Sequence, residues 1–212
     1  HHAVYPVLLG WLAGRKAGRA NDRPQQGKTI GDLPTIALLI PAYNEAEHIA
    51  DKIRNIGALS YPSQNLQVNI LCDGCSDNTA QLARQVAREP ECQHLELTIT
   101  EFTRNRGKVA VLNEAIGECD TEIIALSDVS ALVSIDALLR LAEQFAQPEV
   151  GIVSSNYRLL NPGSEGEAVY WVYQRRLKQK EAAVAGLIGA HGAFYAFRRA
   201  LFRPLEPDTI ND

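Results

Sequence analysis

The chain has 212 residues, a formal net charge of −4 and an apolar content of 46%. That suits one well-filled domain of ordinary to large size, and mild acidity without a dense Lys/Arg run argues against nucleic acid as a partner. The four cysteines include one C-x-x-C pair, Cys72 and Cys75, with no second pair at metal-ligand spacing. A zinc or redox framework is therefore disfavoured, and reduced, mostly buried thiols are expected.

The stretch AVYPVLLGWLAGRKAGR is an apolar run closed by Arg15, Lys16 and Arg19. It is shorter than the about 20 residues that span a bilayer. Two alternatives stay open: the cytoplasmic end of a membrane helix with positive residues just inside, or an amphipathic segment packed on the domain. Residues 20–34 are polar and rich in Pro and Gly, as a linker is. Residues 1–34 are thus expected to be a membrane-proximal segment and linker, and 35–212 the folded domain.

TIALLI (35–40) is the first strand candidate. Ala46, Ile49, Ala50, Ile53 and Ile56 then recur at helical spacing. Asn44 is a plausible N-cap, with Glu45 and Glu47 in the first turn, where the helix dipole favours acids. LQVNILC (66–72) is the second strand, and Ser76 or Asp77 caps a helix whose inner face carries Ala80, Ala83, Val86 and Ala87. LELTIT (95–100) is the third strand, and residues 107–117 form a helix with Leu112, Ala115 and Ile116 inward. EIIAL (122–126) is the fourth strand, followed by a helix over 134–146 with Ile135, Leu138, Leu139, Ala142 and Phe145 on one face. Residues 150–160 suit one or two strands, 165–186 a long helix, and 192–199 a strand leading into a turn. Such alternation predicts an α/β fold with a mostly parallel sheet covered by helices on both faces.

In open α/β sheets ligands bind beyond the carboxyl ends of the strands. The first strand runs into Pro41, Ala42, Tyr43, Asn44 and Glu45, and the second ends in Asp73 and Gly74. The third is followed by Arg104, Arg106 and Lys108, and the fourth ends in Ser127, Asp128, Val129 and Ser130. Each has a plain explanation: Asp73 and Asp128 as turn residues, Asn44 as a helix cap, Lys108 as a solvated lysine. Gathered on one rim, however, the carboxylates would repel unless a cation lay between them. A divalent metal on a phosphate, beside a lysine or arginine, would relieve this. A G-x-G-x-x-G loop, a Walker A sequence and a G-x-S-x-G elbow are all missing, which disfavours a dinucleotide site, a P-loop and that type of hydrolase.

IALLIPAYNEAEHI, CDGCSDNT, NRGKVAVLNEAI, LSDVS and GAHGAFYAFRR stand in the order found in family 2 glycosyltransferases, which the chain resembles over roughly residues 35–212. The resemblance implies the GT-A fold, a Rossmann-like nucleotide half joined here to a partial acceptor half. It implies sugar transfer, with inversion, from a nucleotide-diphosphate donor, UDP-linked, to a glycan or lipid acceptor. Pro41, Tyr43, Asn44 and Glu45 resemble the loop lining base and ribose. Asp73 matches the second acid of Asp-Asp-Gly, which accepts a hydrogen bond from the base. Lys108 resembles the residue facing the phosphates. Asp128 matches the first acid of the Asp-x-Asp motif that holds Mg2+ or Mn2+. Ser130 stands at the second, so the metal site is weakened until donor oxygens join it, and Cys72 replaces the first acid of Asp-Asp-Gly.

The family's catalytic base is the Asp of a Glu-Asp-like motif. Asp212 is the visible candidate; if it fills the Glu position, the base is the residue after it. His191 and Gly192 resemble the stretch near donor sugar or acceptor, although a lone histidine is more often structural. Trp171 and Tyr173 suit packing better than stacking on a sugar. The chain stops before the Gln-x-x-Arg-Trp-type element of processive members. With the N-terminal stretch, this implies the soluble cytosolic domain of a larger enzyme on the cytoplasmic face of a membrane, with weak or no transfer activity alone. A non-catalytic nucleotide-sensing or scaffolding domain on the same fold is the alternative. A sugar-phosphate nucleotidyltransferase is disfavoured, because Pro41–Glu45 does not resemble its Gly-rich loop.

Overall fold

Strand β1, Ile36–Ala42, is almost wholly buried and pairs on both sides, as a near-continuous apolar run in a doubly covered parallel sheet should. The computed structural model describes residues 33–155 and 193–206. Apart from Ser154 and Ser155 these belong to one compact unit, made of Lys28–Val153 and Gly192–Asp212. The expected N-terminal segment and linker, the long helix with Trp171 and Tyr173, and His191, Gly192 and Asp212 lie outside the described residues.

The other strands are β2 (Leu66–Asp73), β3 (Glu96–Phe102), β4 (Ile123–Ser127), β5 (Ile152–Ser154) and β6 (Phe194–Arg198). They form a sheet in the order β3-β2-β1-β4-β6-β5. Strands β3, β2, β1 and β4 are parallel, with Ile36 opposite Leu66 on one side and Ile123 on the other. Strand β6 pairs antiparallel with β4. The fold is therefore the mostly parallel α/β sheet that the strand–helix alternation predicts.

Helices α1 (Ile49–Gly57), α2 (Thr79–Val86), α3 (Lys108–Glu118) and α4 (Ala137–Phe145) follow the first four strands in turn. Ile49, Ile53 and Ile56 of α1 pack with alternate β1 residues Ile36, Leu38 and Ile40, together with Ala83 of α2 and Leu138 of α4. The other face, Ala37 and Leu39, packs on Val111, Leu112 and Ile116 of α3. Period-two alternation in the strands and helical spacing in the helices thus interlock on both faces. Because α1 and α3 lie on opposite faces, the chain changes sides between β1 and β4, which is where such sheets open a crevice. Pro41 falls past the last β1–β4 pair, Leu39 with Leu126, where the strand has become an edge on that side.

Several local expectations need correction. Asn44 does not cap α1: it sits in the left-handed region at φ 55°, and the helix starts later, after His48. Asparagine tolerates this conformation better than most residues. The fourth helix begins at Ala137, so Ile135 is 59% exposed rather than part of its inner face, which carries Leu141 instead. Strand β3 is only half buried, as the edge of the sheet.

Candidate functional site

The carboxyl ends of β2, β1 and β4 lie side by side, and each turns into a polar loop. Asp73 and Asp128 are two strands apart, about 10 Å across the rim. Asp73 is 3% exposed. Its Oδ1 accepts the Arg106 N–H at 2.9 Å and its Oδ2 the Gly107 N–H at 2.8 Å. Asn105 also donates to the Asp73 carbonyl at 3.3 Å. The carboxylate at the tip of the buried strand therefore pins the loop between β3 and α3. Gly74, at φ 65°, makes the close approach possible: a Cβ there would lie 2.1 Å from the Asn105 nitrogen.

That loop delivers Lys108, the first residue of α3, to the next acid. Lys108 Nζ donates to Asp128 Oδ1 at 2.9 Å. The side chains are 31% and 40% exposed, so this pair borders solvent. Arg106 is drawn aside, onto Glu114 at 2.6 Å and over the Phe102 ring. Each acid thus has its own partner within the chain. The repulsion that seemed to require a metal is relieved by two main-chain N–H groups at Asp73 and by a lysine at Asp128.

The loop after β1 is locked to the loop after β2. Asn44 Oδ1 accepts the Ser76 N–H at 2.8 Å and the Asp77 N–H at 3.4 Å. Asp77 Oδ2 accepts the Ala46 N–H at 3.1 Å, and Oδ1 takes the Thr79 N–H and hydroxyl. The buried Thr79 hydroxyl in turn accepts the Glu45 N–H at 2.8 Å. The Thr79 hydroxyl holds the Asp77 carboxyl below the usual carboxylate range. The N-cap position of α2 falls on Asn78, not on Ser76 or Asp77 as expected; Asp77 instead ties the first helical residue, Thr79, to the loop after β1, and Asn44 caps the turn before it. This frame leaves Tyr43 projecting, 53% exposed.

Beneath Asp128 lies a residue that the apolar pattern concealed. Lys52 of α1 is fully buried. Its Nζ donates to Ser127 Oγ at 2.6 Å and to the Ala131 carbonyl. Burial pulls its pKa down to about 8, against the opposing attraction of Asp128. The signal was present in the sequence: Lys52 falls between Ile49 and Ile56 at the helical spacing of the inner face.

The model for glycosyl transferase family 2 matches residues 37–205, taking in every element of this rim. The chain belongs to glycosyl transferase family 2. The poly-beta-1,6-N-acetyl-D-glucosamine synthase of Staphylococcus aureus (strain COL) is 31% identical over 169 residues, 76% of this chain and 39% of that protein. The mannosyltransferase PcManGT from Pyrobaculum calidifontis, solved with GDP-Man and Mn2+, has a TM-score of 0.78 and 27% identity over all of this chain and 58% of that one. Glucosyl-3-phosphoglycerate synthase from Mycobacterium tuberculosis shares the fold, with a TM-score of 0.53 and 21% identity over 85% of this chain and 64% of that one. The chain therefore spans 39% of the length of the curated synthase it matches.

Within that family frame, Pro41–Glu45, Asp73, Lys108, Asp128 and Ser130 all stand on the one rim. Cys72, in place of an acid, is buried, and burial pushes its thiol up to about 12. It contributes a neutral thiol, not a second charge. Among the described residues no three His, Cys, Asp or Glu side chains gather as a metal cage. The oxygen donors that are present still fit a small hard cation. Asp128 gives one oxygen to Lys108 and keeps another, half-exposed, and Ser130 is exposed two residues on. Mg2+-type ions commonly take one or two carboxylates and complete their shell with phosphates and water. Among the described residues, no helix is long and apolar enough to cross a membrane.

Proposed function

We propose that the chain binds a UDP-linked sugar and transfers the sugar, with inversion, to a hydroxyl of a glycan or lipid acceptor, assisted by Mg2+ or Mn2+. The observation that carries this is the Lys108–Asp128 pair standing on one rim with Asp73. The exposed Tyr43 ring offers the base a face to stack on. Asp73 spends one lone pair of each oxygen on the main chain and keeps others to accept the N–H of a uracil-like ring. Lys108 supplies a cation for the diphosphate, and Asp128 with Ser130 would hold the metal. When bound, that ion offsets the charge that grows on the departing diphosphate.

Inversion is one displacement. The acceptor oxygen bonds to the anomeric carbon while the bond from that carbon to the diphosphate oxygen breaks. The nucleotide leaves with the electron pair, and a carboxylate takes the hydroxyl proton. Asp212 is our candidate for that base, or the residue after it, and His191 and Gly192 for contacts with the donor sugar or acceptor. Among its similar proteins, the mannosyltransferase solved with GDP-Man and Mn2+ supports metal-dependent use of a nucleotide sugar, and the poly-beta-1,6-N-acetyl-D-glucosamine synthase supports a glycan acceptor. We take residues 35–212 as the transferase domain and 1–34 as a membrane-proximal segment and linker. The apolar, basic-ended stretch supports a place on the cytoplasmic face of a membrane.

Titration with UDP and Mn2+ should move amide signals at 42–45, 73–75, 105–108 and 127–131, more strongly than GDP does. Silence at millimolar ligand overturns the proposal. The buried thiol of Cys72 and the hydroxyl of Ser130 favour a second possibility, a nucleotide sensor that transfers nothing. Full-length protein in membranes separates the two. Transfer abolished by Asp128→Ala marks an enzyme; UDP binding without transfer from any donor marks the sensor.

A further inference from the structure

We infer that Lys52 is a positioning residue of the donor site, a buried cation that holds the loop 127–131 from below so that Asp128 and Ser130 stay on the rim. This rests on the metal-assisted donor binding proposed above. The inner face of α1 carries Ile49, Lys52, Ile53 and Ile56, each at 0% exposure. A lysine is almost never so deeply buried without specific partners. An apolar side chain would serve the core at lower cost, so what the ammonium holds is informative.

Its partners are Ser127 Oγ, at 2.6 Å, and the Ala131 carbonyl. These bracket Asp128 and Ser130. The loop alternates: Ser127, Val129 and Ala131 are buried, while Asp128 is half-exposed and Ser130 exposed. Tying down both ends of this zigzag fixes which side the even-numbered residues occupy. The Ser127 hydroxyl also reaches the Ala193 carbonyl at 3.3 Å, and the Asp128 N–H binds the same carbonyl at 3.1 Å. Lys52 thus sits under a junction of α1, the end of β4 and the start of β6. It touches no ligand itself, so it acts through the geometry of Asp128 and Ser130.

The test compares UDP affinity with and without Mn2+ in the wild-type chain, Lys52→Met and Ser127→Ala. The expected result is that Lys52→Met binds UDP alone as the wild type does but loses the gain from Mn2+ by about tenfold or more, as supporting-residue losses do at metal sites. Ser127→Ala should shift the same quantity less. Full Mn2+ enhancement in a folded Lys52→Met overturns the inference and leaves the donor-site proposal standing. Equal loss of both affinities overturns it too, because Lys52 is then only structural. Absence of UDP binding by the wild type overturns the donor-site proposal itself, and this inference with it. If Lys52→Met does not give a dispersed amide spectrum, Lys52→Gln replaces it. Failure of both to fold makes Lys52 a folding residue and overturns the inference.

Discussion

Lys108 Nζ meets Asp128 Oδ1 at 2.9 Å across the crevice between the start of α3 and the end of β4. With side chains 31% and 40% exposed, the pair is well screened by solvent, and its value lies in placing charge. Removing either partner should change stability by less than about 1 kcal/mol. Lys108→Met should weaken UDP binding about tenfold in the presence of Mn2+. Denaturant melts beside calorimetric titration check both halves; a large stability loss with unchanged affinity would contradict the assignment.

Asp73 is the opposite case, since its carboxylate is buried and satisfies two main-chain donors. Asp73→Ala leaves both N–H groups unpaired in a largely enclosed site and should cost about 3 kcal/mol. Asp73→Asn keeps one acceptor oxygen and should cost less. Urea midpoints for the two variants give the order directly.

Gly74 stands at φ 65° with the Asn105 nitrogen 2.1 Å from where a Cβ would be. Gly74→Ala combines left-handed strain with a clash against backbone, which cannot swing away as a side chain can. We expect a loss of about 3 kcal/mol and displaced amide signals at 104–107. Wild-type shifts in that loop would show that the contact is not needed.

Asn44 separates conformation from hydrogen bonding. At φ 55° it accepts the Ser76 and Asp77 N–H groups. Asn44→Gly loses the acceptor only, whereas Asn44→Ala also strains the backbone. Alanine should therefore be the more destabilising by about 1 kcal/mol, measured by thermal or urea melts; equal costs would mean the backbone relaxes.

Lys52 predicts a pH signature. Its folded pKa is lowered from 10.5 to about 8. Between those values the unfolded chain holds more protons than the folded one, so this group's contribution to stability rises with pH. The wild type should gain on Lys52→Met by up to about 3 kcal/mol from below pH 8 to above pH 10.5. Buried thiols such as Cys72, pushed up to about 12, act in the opposite sense as pH climbs. They are common to both proteins and cancel in the difference. A difference independent of pH would mean that the folded and unfolded chains hold the Lys52 proton equally well, so that burial does not lower its pKa.

The order of strands and helices, and the acids at strand ends, were decided by the sequence alone. A strand of a parallel sheet covered on both faces tolerates an amide such as Gln67 or Asn69 but no unpaired carboxylate until it leaves the core, so the first acid after the run marks its tip, as Asp73 and Asp128 do. What meets those carboxylates was decided only by tertiary structure. Asp73 finds its partners 33 and 34 residues on, and Lys52 reaches Ser127 across 75. Contacts of that range leave no periodic trace, so acids that looked mutually repulsive proved individually satisfied, and a lysine inside an apolar stripe proved to be a support for the site. Local pattern reports which residues leave water; the charge and donors that wait for them depend on how distant segments are brought together.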